Sequence, residues 1–251
     1  MNPRISIVGI PGIKEVVPGD NIPLIIDNAL DSNNLELSED DILVVAQKII
    51  SKAEGRYMDP KEVIPSKEAI DIAKNMVNKS PEEVQIILNE SREIIRHTKN
   101  VLITEHKLGF IMANAGVDSS NVEPGKFLLL PKDPDSSAGK IRDYFKRKYQ
   151  LPIAVIISDT FGRPWRSGQT NVAIGLSGMN PLYDYINTFD TFGNCLKVTN
   201  IAQADEIASA AELIMGKADA IPAALVRGVK FRKGKGTAAD LIREKKEDLF
   251  R

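Results

Sequence analysis

SPEEVQIILNESREIIRHTKNVLITEHKLGFIMANAGVDSSN, residues 80–121, is the stretch on which the fold class turns. Its opening, Ser80-Pro81-Glu82-Glu83, is a capping box with proline at the first helical position and predicts a helix from Pro81 to about Arg96. Two apolar segments follow, Lys99–Thr104 and Phe110–Ala113, and read as the strands of a hairpin around Lys107-Leu108-Gly109. A doubly wound parallel sheet alternates single strands with helices, so a hairpin between helices argues against it. The stretch points to an α+β fold. It closes on Asn114-Ala115-Gly116-Val117-Asp118-Ser119-Ser120-Asn121, a polar loop of small residues.

Working toward the N-terminus, a helix is expected from about Ser66 to Val77, and Asp41–Ile50 reads as one buried strand. Asp20 is placed to cap a helix reaching about Leu30, with Pro23 in its first turn. Ile5–Val8 reads as a short strand ending in Gly9-Ile10-Pro11-Gly12. Toward the C-terminus, Asp135 is expected to cap a helix to about Tyr149. Pro152–Ile157 is an apolar strand running into Ser158-Asp159-Thr160, and Asn171–Ser177 is another strand. Thr191–Thr199 suggests a hairpin arm with Gly193-Asn194 at its turn. Ala204–Met215 is a helix with Gly216 in the C′ position, Ala223–Val226 a strand, and Thr237 the cap of a charged terminal helix. No long linker interrupts residues 1–251, which read as one region; the best seam between two subdomains lies near residues 130–135.

Composition restricts the chemistry. The 251 residues hold 33 Lys and Arg against 34 Asp and Glu, so no global field attracts nucleic acid. The longest apolar runs, such as Ile22–Ile26 and Leu151–Ile157, fall well short of the ~20 residues of a membrane helix. The N-terminal Met1-Asn2-Pro3-Arg4 is not followed by a signal-type apolar block, so the expected location is the cytoplasm. Cys195 is the one cysteine and His97 and His106 the two histidines. That inventory excludes an intrachain disulfide, and a Cys/His zinc site would exhaust it. Both histidines read as surface or loop residues. Catalysis by this chain would rest on carboxylates, hydroxyls, lysines, backbone amides and a hard metal ion.

Asp118 and Asp159 stand beside apolar strands among small residues, and with the Thr160 hydroxyl they form an oxygen set suited to Mg²⁺ or Mn²⁺. Left to local structure alone, Asp118 would close an Asx-turn and Asp159 would cap a helix. Asp205 and Glu206 lie at the start of the Ala-rich helix, where the dipole favours carboxylates whatever the function. Neither a P-loop nor a dinucleotide fingerprint occurs. Gly9–Gly12, Lys52 and the loop Met215-Gly216-Lys217-Ala218-Asp219 remain as candidate phosphate contacts. Arg163 and Arg166, close to Asp159 in sequence and with Trp165 between them, form a candidate cationic set with Arg227.

Taken together and in order, these motifs resemble the coenzyme F-420-0:L-glutamate ligase family. The matching segments are Gly9–Ile13, Ile49–Gly55, Asn114–Asn121, Ser158–Arg166, Ala173–Gly178, Ala204–Ala208, Leu213–Lys217 and Val226–Gly228. The resemblance implies an α+β fold of two intertwined subdomains, usually a homodimer. It also implies GTP-dependent addition of L-glutamate, in γ-linkage, to the lactyl-phosphate arm of a deazaflavin, through an acyl phosphate. Asp118 and Asp159 would be catalytic and hold a first divalent ion, with Thr160, and Glu206 in compensation, serving a second; K⁺ assists in the family. GTP would contact Ile10, Pro11, Gly12, Ile13, Gln47, Lys48, Lys52, Asn121 and Leu213, Ile214, Met215, Gly216, Lys217 and Ala218. Gln47 and Lys48 stand where members often carry a Ser-Thr pair, and Lys217 where some carry an acidic ligand. Arg163 and Arg166 would hold the anionic substrate. Three alternatives stay open: the same fold acting on another carboxylate acceptor, a GTP- and metal-binding regulatory module, and a metal-dependent phosphohydrolase.

Overall fold

The computed structural model describes residues 3–250. Met1, Asn2 and Arg251 lie outside the described residues, and with them the first positions of the segment read above for a targeting signal. In chain order the elements are β1 (Ser6–Gly9), α1 (Ile22–Ser32), β2 (Ile42–Ala46), α2 (Gln47–Ala53), β3 (Tyr57–Met58), α3 (Lys67–Ala73), α4 (Pro81–Glu90), β4 (Ser91–His97), β5 (Leu102–His106), β6 (Ile111–Ala113) and β7 (Phe127–Leu128). They continue with α5 (Pro134–Tyr149), β8 (Ala154–Arg163), β9 (Arg166–Ser177), β10 (Tyr183–Asp184), β11 (Asn200–Ile201), α6 (Gln203–Met215) and β12 (Ala223–Arg227). The fold is α+β, as the hairpin reading required.

Five strands form the main sheet in the order β1-β12-β2-β8-β9. β2 and β8 run parallel and the other neighbours antiparallel. Alternation along the strands sorts side chains onto two covered faces. Leu43, Val45, Val155 and Ile157 pack with Ile26 and Leu30 of α1 and Ile141 and Phe145 of α5. Ile42, Val44, Ala154 and Ile156 pack with Ala204, Ile207, Ala208 and Ala211 of α6. Gly175 lets α5 approach the sheet closely, since a Cβ there would fall 2.4 Å from the backbone of Pro134. A third core, with Ala69, Val84, Ile87, Leu102 and Ala115, lies within α3, α4 and the three-stranded sheet β4-β5-β6.

Several boundaries differ from the sequence reading, each for a local reason. The apolar run 42–50 is a strand followed directly by a helix, a division that apolar content alone does not reveal. The helix begun at Pro81 stops at Glu90; Ser91–His97, with its β-branched Ile94-Ile95, leaves it to pair with β5 through two irregularities in register. Asn21 rather than Asp20 caps α1, accepting from Leu24 N, while Asp20 accepts from Val17 N. Asp133 caps α5, which frees Asp135 to accept from Leu176 N and Ala238 N and tie the helix to β9. The helix from Ser66 ends at Ala73, and Thr237 opens a short 3₁₀ turn, Ala238–Leu241, instead of a terminal helix. The arm expected at Thr191–Thr199 is wider, based on β10 and β11, with its tip at Asp190–Asn194.

Asp27 fastens α1 to α5. Its carboxylate, 1% exposed, accepts from Tyr144 (2.7 Å), Tyr149 (2.6 Å) and Lys148 (2.5 Å). Burial opposes its charge, but the bonds from Lys148, Tyr149 and Tyr144 outweigh that and hold its carboxyl below the usual range. A depressed carboxyl contributes stability that is complete above the unfolded value near 3.8 and lost as pH falls through the folded one. Asp27→Ala is therefore expected to cost about 2–4 kcal/mol at pH 7 by denaturant titration. The gap from the parent protein should narrow steadily below pH 4.

Candidate active site

A crevice of about 650 Å³ opens at the carboxyl ends of β2 and β8, where ligands commonly bind in sheets with parallel strands. Five segments wall it: Ile13–Val16, the start of α2, Asp118–Asn121, the end of the buried part of β8 with Gln169 and Asn171 opposite, and Met215–Ala218 with Ala220–Pro222. The pairing of Ala46 with Ser158 sets the first residues of α2 beside Asp159. Ala46 N donating to Pro222 O and Ile10 N donating to Ala223 O fix the loops at the rim.

Asp118 arrives from the long connection between β2 and β8. Asn114, Ala115 and Gly116 turn the chain with three successive left-handed conformations (φ 52°, 50° and 68°), after which Asp118 bridges to Leu128. The Asx-turn expected of Asp118 forms, with Ser120 N donating to Oδ1 at 2.9 Å. Its other oxygen accepts from Lys48 Nζ at 2.5 Å and from the Ser120 hydroxyl at 2.7 Å. Burial works against this carboxylate, but the Lys48 and Ser120 bonds prevail and lower its pKa. Lys48 also donates to Ser120 O at 2.8 Å.

Asp159 caps no helix; it lies within β8. A bulge between Ile157 and Ser158 shifts the pairing with β9 just before it, the kind of irregularity that re-aims a side chain. Burial pushes Asp159 up to about 6; the Thr160 N–H and the Lys48 and Lys217 charges oppose the rise, and the Asp118 charge adds to it. A half-buried carboxylate with so little compensation is a place where a cation would be stabilised. The oxygens gathered around it (Asp118, the Ser120 and Thr160 hydroxyls, and the Asn171 amide) are donors that hard divalent ions accept. Among the described residues no group of three Asp, Glu, His or Cys side chains is positioned to hold a metal. An ion here would complete its shell with hydroxyl, water or phosphate oxygens, and on that donor chemistry the residues fit.

The far wall is the loop after α6. Gly216 takes φ 57°, and a Cβ on it would strike the Asp219 carboxylate at 2.1 Å. Lys217 Nζ donates to Thr160 Oγ1 at 2.5 Å and to Asn171 Oδ1 at 3.2 Å, and lies 3.2 Å from Glu212 Oε1. Asn121 Nδ2 reaches Lys217 O at 3.4 Å, linking the two loops across the opening. Lys52, nearly buried, donates to Glu15 at the other end.

Of the residues singled out from sequence, Ile13, Gln47, Lys48, Lys52, Asp118, Asn121, Asp159, Thr160, Met215, Gly216, Lys217 and Ala218 line this crevice. Gln47 also accepts from the Ser51 hydroxyl. Ile10, Pro11, Gly12, Leu213 and Ile214 do not line it; Ile10 is wholly buried and Leu213 largely exposed. Glu206 is exposed on α6, whereas Asp205 accepts from Ala173 N and ties that helix to β9. Arg163 and Arg166 stand at the exposed tip of the β8–β9 hairpin, beside a Trp165 that is 87% exposed. Arg227 grips Asp41 through two bonds instead of joining them. His106 is a buried residue, 3.7 Å from Glu90, not a surface one. Sequence reasoning passed over Asn171, Ser120, Glu15 and Glu212. Only Asn171 left a signal, as the polar residue that opens the apolar run Val172–Leu176; in the structure it pairs with Thr160.

The chain matches the family model described as F420-0:Gamma-glutamyl ligase over residues 12–228. It is 42% identical to the Coenzyme F420:L-glutamate ligase of Methanothermobacter thermautotrophicus over 98% of this chain and 99% of that protein. It is 48% identical to the protein of the same name from Methanocaldococcus jannaschii over 86% of each, and 40% identical to that of Methanopyrus kandleri over 99% and 98%.

The raised Asp159 carboxyl yields a test on the metal-free protein. A raised value means that its contribution to stability is complete below the unfolded value near 3.8 and is lost as pH rises through about 6. Asp159→Asn should therefore be more stable than the parent by about 1–3 kcal/mol at pH 8. Thermal melts from pH 8 down to pH 4 should show that advantage shrinking to nothing.

Proposed function

The chain belongs to the F420-0:gamma-glutamyl ligase family, and on that premise we propose that it is a GTP-dependent ligase joining L-glutamate through γ-linkages to coenzyme F-420-0. The observation that carries this reading is the pair Asp118 and Asp159, set on one crevice with Lys48, Lys52 and Lys217 and large enough for a nucleoside triphosphate. Carboxylates with a hard metal and ammonium groups are what phosphoryl transfer asks for, since its demand is positioning and charge neutralisation.

In this reading the terminal carboxylate of the deazaflavin's lactyl-phosphate arm attacks the γ-phosphorus of GTP. A P–O bond forms, the bond to the β-phosphate oxygen breaks, and GDP leaves. The amine of L-glutamate then attacks the acyl carbon, phosphate departs with the C–O electron pair, and the amine proton passes to solvent. No protein nucleophile is needed, which suits a chain with one exposed cysteine. Asp118 and Asp159 would hold Mg²⁺ or Mn²⁺, which when bound neutralises phosphate oxygens. Lys52 and Lys48 would turn from Glu15 and Asp118 to the entering phosphates, and Asn121 with the Met215–Ala218 loop would contact the nucleotide.

The same reading takes the protein to be a cytoplasmic homodimer. Among the described residues no helix is long and apolar enough to cross a membrane. The apolar side chains exposed on the two projecting arms, Trp165 on one and Phe189, Phe192 and Val198 on the other, support self-association.

Purified protein given GTP, Mn²⁺, L-glutamate and F-420-0 is expected to convert the deazaflavin to a species heavier by one glutamyl unit, with GDP formed in step. Asp159→Asn should lower kcat/KM by about a hundredfold or more. GTP hydrolysis that ignores glutamate would point to a phosphohydrolase, and GTP binding without turnover to a regulatory module.

A further inference from the structure

We infer that Lys217 is a built-in cation that takes the place of a second metal ion, so that this chain needs one exchangeable divalent ion where a two-ion site would need two. The inference deepens the ligase reading and rests on it. An ammonium has three protons and no acceptor. At Lys217 two of them go to Thr160 Oγ1 of β8 at 2.5 Å and Asn171 Oδ1 of β9 at 3.2 Å, and Glu212 Oε1 of α6 forms an ion pair at 3.2 Å, so that three oxygens from three different elements surround the ammonium. Such an all-oxygen shell is what a bound cation collects.

The hydroxyl of Thr160 is aligned for this role. Its proton goes to Asn171 Oδ1, 2.7 Å away, which leaves a lone pair toward the Lys217 ammonium. A metal ion at Thr160 would have to displace that ammonium or lie against it, and like charges at such spacing repel strongly. The loop is also held in position. Gly216 is fitted against Asp219, and the carbonyl of Lys217 accepts from Asn121. At the opposite side Lys48 is bound to Asp118, so Asp159 lies within the fields of two ammonium groups. Of these, Lys48 touches a carboxylate that a divalent ion would claim. Lys217 touches neutral oxygens and one acid outside the crevice lining, so it can remain where it is when the ion and phosphates enter.

The full-length protein would be titrated with Mn²⁺ in the presence of the β,γ-imido analogue of GTP, with free Mn²⁺ counted by electron paramagnetic resonance. One Mn²⁺ per chain is expected for the parent and for Lys217→Arg, and two for Lys217→Glu. Because Lys217 is more than half exposed, the melting temperature should hardly move. Should the Glu variant fail to fold, Lys217→Gln keeps the side-chain length and is expected to admit a second, weaker Mn²⁺. Two ions in the parent, or no second ion in either variant, would overturn the assignment and leave the ligase reading intact. A parent that binds neither Mn²⁺ nor the nucleotide would overturn both.

Discussion

The parallel pairing of β2 with β8 is the constraint on which the rest depends. Ile42–Val45 and Ala154–Ile157 are buried on both faces, with helices above and below, so neither strand tolerates a polar side chain along its middle. Charge is admitted only where the strands run out of cover, which at their carboxyl ends means Ala46-Gln47-Lys48 and Ser158-Asp159-Thr160. Register sets those two ends side by side. Parallel strands also cannot be joined by a tight turn. The connection from β2 to β8 spans residues 47–153, builds its own small core from α3, α4 and β5, and returns Asp118 to the end of β2. One pairing thus fixes both where the crevice lies and why its two aspartates come from distant parts of the chain.

Electrostatics in the crevice follow from that placement. Asp118 and Asp159 are raised by the same burial, yet end on opposite sides of the ordinary carboxylate value. The difference is the donors each has found. Asp118 is bonded by Lys48 and Ser120, whereas Asp159 has one backbone N–H and only the more distant pull of two lysines. The crevice therefore holds one satisfied carboxylate and one seeking a cation. Lysines 14, 48, 52 and 217 against Glu15, Asp118 and Asp159 leave the lining net positive, which favours a polyphosphate arriving with its metal.

Much of this was legible in the sequence, and what was not has identifiable causes. Asp118 and Asp159 stood out because small polar residues beside apolar strands have little to pack against. The strands around them followed from β-branched content. The split of residues 42–50 was hidden because an apolar helix start looks like the end of a strand. The cap at Asp133 was hidden by an Asp two positions on that serves tertiary bonds instead. Arg163 and Arg166 are near Asp159 in sequence but not among the crevice residues, because β8 and β9 continue outward as a hairpin beyond it. Lys48 and Lys217 acquire their meaning only from partners 70 and 57 residues away, which no local pattern records.

Whether Asp118 and Asp159 hold one ion between them is most directly measured by a double-mutant cycle on Mn²⁺ affinity. Calorimetry would be run on the parent, Asp118→Asn, Asp159→Asn and the double variant, each with the imido analogue of GTP present. If the two carboxylates share an ion, each single change should weaken Mn²⁺ by about tenfold or more, and the double change should add much less than the product of the two. Losses that multiply independently, or Mn²⁺ binding indifferent to Asp159, would contradict the account.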